Sequence, residues 1–316
     1  MTVSTGKSRK KSWKSLQARE VRLAWSLISP TALIVFGLVL FPALFSIWIS
    51  FHKIGLYNLN DVFNAPFNGL DNFRSVLSDF EFKWQDLNQW GAAVTTVVYS
   101  FASTILTLLV GLLAALILNR PFRARGLVRG IFLFPYVAPV ISVAFVWRWL
   151  LDPRPSGVLN HVLLSLNLIE MPKAFLATRG LAILLVIVFQ VWRYFPFAML
   201  MILARLQAID DTLYEAASVD GANTWQKFWS ITVPQLRYIL GAVFLLRLLW
   251  TFNKFDDIWL MTGGGYGTNV LPVLTYQFSF GTYDFGKGAA TAMIMLAALI
   301  VFIIAYILIV MRNVEE

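Results

Sequence analysis

Leu213-Tyr214-Glu215-Ala216-Ala217-Ser218-Val219-Asp220-Gly221-Ala222-Asn223-Thr224-Trp225-Gln226-Lys227-Phe228, continuing as Trp229-Ser230-Ile231-Thr232-Val233-Pro234, is a polar segment set between two long apolar runs. Thr212 with Glu215 has the spacing of a capping box, and so does Asn223 with Gln226. Gly221 stands where a left-handed residue ends a helix. The segment therefore reads as helix, tight turn, second helix, then a return to apolar surroundings marked by Pro234. Ala216, Ala217 and Ala222 leave little side-chain bulk around the turn. An elbow this bare can be pushed into a groove on another protein, or it can simply join the two runs.

The flanking runs define the class. Of 316 residues, 58% are apolar and 14% charged, and the mean hydropathy is +0.68. Soluble domains carry about 45–50% apolar and about 25% charged residues, so a soluble globule of this composition could not cover its own surface. Apolar runs at 24–51, 91–118, 130–151, 181–204, 238–262 and 288–311 are each long enough to cross a bilayer. The fold class is all-α: a polytopic membrane protein of about six transmembrane helices. The first run is too long for a signal peptide and lacks a small-residue cleavage site, so it reads as a retained span. Residues 1–23 form a basic tail, 24–311 the membrane domain with a cytoplasmic loop at 206–236, and 312–316 a short C-terminus. The segments at 52–90 and 152–180 read as re-entrant or interfacial lids of short helices and turns.

Charge placement gives the orientation. Lys7, Arg9, Lys10, Lys11, Lys14, Arg19, Arg22, Arg120, Arg123, Arg125, Arg129, Arg205, Lys227, Arg237 and Arg312 put fifteen basic residues on the side of the termini. Lys53, Arg74, Lys83, Arg154, Lys173, Arg179 and Lys287 put seven on the other. The positive-inside rule then makes both termini cytoplasmic. The basic tail reads as a topology signal facing anionic lipid, with no nucleic acid as partner.

Several chemistries find no motif. Cysteine is absent, and His52 and His161 are far apart, which removes thiol catalysis and clustered metal sites. Thr5-Gly6-Lys7-Ser8 copies only the end of a phosphate-binding loop and lacks the first glycine and the strand. Gly263-Gly264-Gly265-Tyr266-Gly267 follows an apolar span where a dinucleotide fingerprint needs a strand, and reads as a turn.

Glu215-Ala216-Ala217, three residues, Gly221, then nine residues to Ile231-Thr232-Val233-Pro234 resembles the cytoplasmic signature of the membrane subunits of binding-protein-dependent ABC importers. Asp220-Gly221-Ala222, Phe228 and Ile231 resemble the sugar-importer branch, that of the maltose and glycerol-phosphate permeases. Gly69-Leu70-Asp71-Asn72-Phe73, Leu203-Ala204-Arg205-Leu206-Gln207-Ala208-Ile209 and Thr262-Gly263-Gly264-Gly265 extend the resemblance over most of the chain. Asp210 stands where the family often has Pro, and Val233 where Leu is usual. The maltose permease's extra N-terminal spans and inserted external domain have no counterpart here.

The resemblance implies a type I ABC importer permease fold. It implies a coupling loop of Glu215, Ala216, Ala217, Asp220, Gly221, Ala222 and Pro234 that docks on a cytoplasmic ATPase. The implied partners are a second permease subunit, two copies of that ATPase, an extracytoplasmic sugar-binding protein and the lipid bilayer. The resemblance further implies that the chain binds no cofactor itself, ATP and Mg being used by the ATPase subunits. Its place is the inner or plasma membrane of a bacterium or archaeon.

Charges at membrane depth must face a cavity or a partner. Gln190-Val191-Trp192-Arg193-Tyr194-Phe195-Pro196-Phe197 puts Arg193 mid-span beside a proline that frees a carbonyl. Aromatic faces beside hydrogen-bonding groups suit a sugar, and in the family the corresponding stretch contributes to the sugar site. Gln190, Arg193, Tyr194 and Phe197 are pathway candidates, with Asn253 and Asp256 from the fifth run. Arg193 could equally be a structural partner of Asp256 or Asp257. Lys254 and Asp257, three apart on one helix, can pair. Arg247 also lies at depth, and Arg148 snorkels to the outer interface. The alternative to an importer subunit is a secondary transporter or channel for small polar solutes, which would carry inverted repeats or a relay of acids. An integral membrane enzyme would need a nucleophile–base pair or a metal constellation, and neither is visible.

Overall fold

The computed structural model describes residues 8–79, 82 and 91–308. The segment Thr5-Gly6-Lys7, the first residues of the basic tail and the C-terminal residues 312–316 lie outside the described residues. Among the described residues there is no strand, only isolated bridges between His52 and Phe67 and between Gly55 and Asp284.

The first span joins α1 (Ser8–Val35) to α2 (Phe41–Ser50) through a π turn at Phe36–Leu40. Its apolar part runs Ala18–Ser50 and is exposed along most of its length, as expected of a helix apolar on all sides whose solvent is lipid. After it come a 3-10 segment, Leu56–Asn64, and α3 (Asp71–Ser78). These are the short helix and turns expected of the first external segment. Asn72 pins them to the span end, its amide donating to the carbonyls of Ser50 and His52 at 2.9 Å each.

α4 (Ala92–Asn119) and α8 (Leu181–Leu206) form the central pair. Thr96, Ser100, Ser103, Thr107 and Gly111 recur at helical spacing on α4 and are buried. A side-chain carbon on Gly111 would come within 2.7 Å of the Ala198 methyl. Small residues permit that close approach, as they do generally between membrane helices.

The third expected span is not one rod. α5 (Arg125–Val137) and α6 (Val140–Leu150) meet at 94°. Pro139 forbids helical geometry to the residue before it, and Ala138 is extended at φ −63°, ψ 141°. Among the described residues five helices are long and apolar enough to cross a membrane, six if the bent pair counts as one span.

The fifth span also differs from the expectation. It starts earlier, running unbroken from Thr224 to Phe252 through α10 (Thr224–Lys227), a π turn at Phe228–Thr232 and α11 (Val233–Phe252). The second helix of the elbow is thus the first turn of the span. Pro234 lies in the first turn of α11, just beyond the π turn. The span ends at Phe252 instead of 262. Asn253–Phe255 are non-helical, and Asp256–Thr262 form a separate α12. α13 (Leu271–Tyr276) and α14 (Phe285–Tyr306) complete the fold, with α9 (Asp211–Val219) and α7 (Val158–Ser165) in the connections.

Candidate functional site

Two sites emerge, one buried among the spans and one at the elbow. The buried site begins on α8, where Gln190 and Arg193 occupy neighbouring positions one turn apart. Arg247 on α11 is 1% exposed and donates to the Thr251 hydroxyl at 3.2 Å. With the Gln190 amide oriented to satisfy its neighbours, its nitrogen donates to the Asp257 carboxylate. Its oxygen then accepts from Arg247 at 3.0 Å and from Thr251 at 3.3 Å. Asp257 is fully buried. Lys254, in the break between α11 and α12, pairs with Asp256 at 2.9 Å and lies 4.0 Å from Asp257. Helices α8, α11 and α12 are thus tied through one polar network, and the break at Asn253–Phe255, which holds Lys254 outside the helices and restarts the chain at Asp256, makes the tie possible.

Tyr194 is the hub of the cations. The guanidinium of Arg247 lies 4.3 Å from its ring centre, the Lys254 ammonium 5.2 Å and the Arg193 guanidinium 5.5 Å. All are within the range of cation–π attraction. Arg193 is 8% exposed, and its Nε and Nη1 have no hydrogen-bond partner among the described residues. No carboxylate lies within 4 Å of it there, so the expected alternative of a direct ion pair with Asp256 or Asp257 is not formed. An aromatic wall continues from Tyr194 to Tyr136 at 6.1 Å, Phe197 to Tyr136 at 6.1 Å, and Phe197 to Trp250 at 5.2 Å.

Of the pathway candidates, Gln190, Arg193, Tyr194 and Asp256 converge and Phe197 flanks them. Asn253 does not join. Its amide donates to the Leu249 carbonyl at 2.9 Å, closing the end of α11, and the residue is exposed.

At the elbow, Asp210 caps α9, its carboxylate accepting from the Thr212 amide at 2.9 Å. That hydrogen bond holds the Asp210 carboxyl below its ordinary value. The expected capping box of Thr212 with Glu215 does not form. The helix starts two residues earlier than that box requires, and Glu215 is exposed without a hydrogen bond or ion pair among the described residues. The box of Asn223 with Gln226 does form, with reciprocal bonds of 2.8 and 2.9 Å.

Between the two helices Gly221 takes φ +78°. The Ala222 amide reaches back to the Ala217 carbonyl at 2.8 Å and the Gly221 amide to Ser218 at 3.1 Å. This double closure, with glycine at the left-handed position, is the Schellman ending. Lys227 donates to Ser218 Oγ at 2.6 Å, and the Tyr214 and Thr232 hydroxyls meet at 2.9 Å. The arms of the elbow are therefore braced on each other.

The base of the loop is fastened to the spans. Arg205, at the end of α8, donates to the Gln235 side chain at 2.7 Å and to its carbonyl at 3.1 Å. The Gln207 amide oxygen, suitably oriented, accepts from Arg125 at 2.7 Å and Arg129 at 3.0 Å. Val219, Trp225 and Trp229 stand exposed on the outside of the elbow.

Residues 107–315 match the family described as "Binding-protein-dependent transport system inner membrane component". The chain is 35% identical over 297 residues to the Escherichia coli inner membrane ABC transporter permease protein YcjO, covering 94% of this chain and 95% of that one. The chain belongs to this permease family. It is likewise 34% identical to the Thermococcus litoralis trehalose/maltose transport system permease protein MalF, over 92% of this chain and 95% of the relative. Its fold is that of a chain in the crystal structure of a bacterial ABC transporter for the acidic polysaccharide alginate. The TM-score there is 0.80 at 21% identity, covering 96% of this chain and 99% of that one. The permease is a multi-pass inner-membrane protein.

Sequence reasoning placed Asp256 in the pathway and passed over Asp257, Thr251, Tyr136 and Lys254 as site residues. Arg247 and Thr251 were findable as an i, i+4 pair of polar residues inside an apolar run. Asp257 was not, because which of two adjacent acids turns inward depends on the break at Asn253–Phe255.

Proposed function

We propose that this permease forms half of the translocation pathway of an ATP-driven carbohydrate importer. A second permease subunit forms the other half, and an extracytoplasmic binding protein delivers the sugar. Two cytoplasmic ATPase subunits, which use ATP and Mg, drive the cycle. Both termini are cytoplasmic in this reading. The substrate class is supported by the trehalose and maltose in a relative's name, and by the polar and aromatic residues gathered around Tyr194.

The observation that carries the reading is the elbow. A rigid turn with exposed apolar residues is joined to α8 through Arg205 and Gln235 and leads unbroken into α11. Those two helices bear the buried network, so displacement of the elbow by an ATPase would move the residues that line the route. The cluster's acids pair with Lys254 and Gln190, which disfavours a proton relay of the kind a secondary transporter needs.

The test is a sugar panel on the purified cognate binding protein, followed by ATP hydrolysis in the reconstituted complex. The expected result is that one or more sugars bind and that the loaded protein raises hydrolysis. A binding protein that holds no sugar would refute the substrate class. Hydrolysis indifferent to the loaded protein would refute the coupling.

A further inference from the structure

A cavity lies apart from the buried network, on the side that the proposed orientation makes external. It sits between the end of α6, the 3-10 turn Phe175–Ala177 and the end of α12, with a volume of about 770 Å³. That is within the range of small-molecule sites. Trp149, Trp259 and Tyr266 present aromatic surface to it, and Arg148, Asp152 and Thr262 present polar groups.

Tyr266, Trp259 and Asp152 are set in place. Tyr266 is held at φ +55°, a left-handed conformation that a bulky residue rarely takes. Gly263, Gly264 and Gly267 around it are left-handed too, and the turn is closed by the Thr268 amide and hydroxyl on the Gly265 carbonyl at 3.1 and 2.7 Å. Strain of this sort collects at functional positions. Trp259 is fixed by Phe255, stacked at 5.5 Å, and by Tyr276 at 4.8 Å, yet remains about one-third exposed. Arg148 is exposed and makes no hydrogen bond or ion pair among the described residues. Asp152 holds the turn beside it, accepting from the Arg154 amide at 2.8 Å and pairing with the Arg154 side chain at 3.6 Å.

We propose that this cavity is an outer carbohydrate subsite, which a sugar ring occupies before it reaches the network around Tyr194. The ring would stack on Trp259 and Tyr266, with Arg148 donating to its hydroxyls and Asp152 accepting from them. Preorganised aromatic faces keep the cost of ordering low on binding. An exposed Trp and Arg at a span end also suit a lipid headgroup region, but the Asp152 carboxylate opposes an anionic headgroup. The proposal rests on the carbohydrate reading above.

The chain has no cysteine, so single cysteines report cleanly. The experiment uses the complete complex in lipid nanodiscs, without binding protein, carrying Ala177→Cys in the cavity wall or Ser165→Cys on exposed α7. The probes are trehalose, maltotriose and any further sugar retained in the binding-protein panel, with sorbitol as the osmotic control. The expected result is that at least one sugar slows maleimide labelling of Ala177→Cys and leaves Ser165→Cys unchanged. Trp259→Ala should weaken that protection about tenfold, the size of one lost aromatic contact. Tyr266→Gly, which relieves the strained backbone while deleting the ring, should weaken it similarly without impairing assembly.

Absence of protection by every sugar, while the binding protein does hold one, would overturn the subsite and leave the carbohydrate reading intact. Protection unchanged in both variants would also overturn it. So would protection that follows the anionic lipid content of the nanodisc and not the sugar. A binding protein that holds no sugar at all would remove the underlying reading, and this proposal with it.

Discussion

Gly221 offers a perturbation whose parts can be separated. Its φ is +78°, and a side-chain carbon added there would meet no heavy atom within 4 Å. Inside this chain, therefore, a substitution meets conformational strain and no clash. For alanine the left-handed conformation costs about 1–2 kcal/mol, which lowers the population of the correctly turned elbow about 5–30-fold. Asparagine visits this conformation readily, so Gly221→Asn carries little strain but adds bulk. Gly221→Asp adds bulk and a charge. If the elbow seats closely on an ATPase subunit, Asn and Asp should both impair coupling more than their strain explains, and Asp should abolish uptake. The assay is ATP hydrolysis by the reconstituted complex with loaded binding protein, together with co-purification of the ATPase. Normal stimulation and normal co-purification in Gly221→Asp would make the loop a mere connector and refute the coupling argument. A loss in Gly221→Ala alone, with Asn unaffected, would locate the whole effect in backbone strain.

Cysteines placed at Ser78 and Ser156 are expected to react with an impermeant thiol reagent in intact cells and one at Ser218 to stay protected; labelling of Ser218 from outside would reverse the orientation. Arg193→Ala and Tyr194→Ala are expected to lower uptake while the subunits still co-purify, because the unpartnered Arg193 donors hold no helix in place. Full uptake by both would move the ligand route elsewhere, and loss of assembly would make Arg193 structural. Arg247→Met should cost stability, about 1–3 kcal/mol, since it takes a buried charged donor from the Gln190 oxygen and the Thr251 hydroxyl and leaves Asp257 with less compensation. Adding Asp257→Asn should recover part of that loss in thermal unfolding of the solubilised complex, and an unchanged midpoint in the single variant would show that the network is not held by Arg247. Glu215→Ala should leave α9 intact by circular dichroism of the solubilised protein, because Asp210 and not Glu215 holds its first turn; a loss of helix would restore Glu215 to the cap.

The spans were legible because an apolar run long enough to cross lipid has few other uses, and Arg193 because nothing apolar explains it. What escaped was decided by backbone breaks. Pro139 was visible, yet run length alone joined α5 to α6 and missed the 94° bend that the Ala138–Pro139 step imposes. A continuous fifth helix would have set Lys254 and Asp257 one turn apart. The break instead brings Lys254 closest to Asp256 and turns Asp257 onto Gln190. At α9 three successive residues, Asp210, Asp211 and Thr212, could each have capped the helix, and the sequence offers no basis for choosing among side-chain acceptors of similar capping strength.

Those breaks also account for where the charges can be. A regular helix would satisfy its own backbone and leave Lys254 facing lipid or a neighbour at random. Ending α11 at Phe252 lets Lys254 turn inward over Tyr194, and the restart at Asp256 supplies two carboxylates to receive it. The network then binds α12 to α8 at one end, while Arg205 and Gln235 bind α8 to α11 at the other. α8 is the element common to both ties. A displacement of the elbow that tilts α11 must strain one tie or carry α8 with it, and in either case Arg193, on the same helix and with donors unspent, is moved relative to Tyr136 and Trp250. The coupling proposed for this permease needs no contact between the elbow and the substrate, only the stiffness of one helix fastened at both ends.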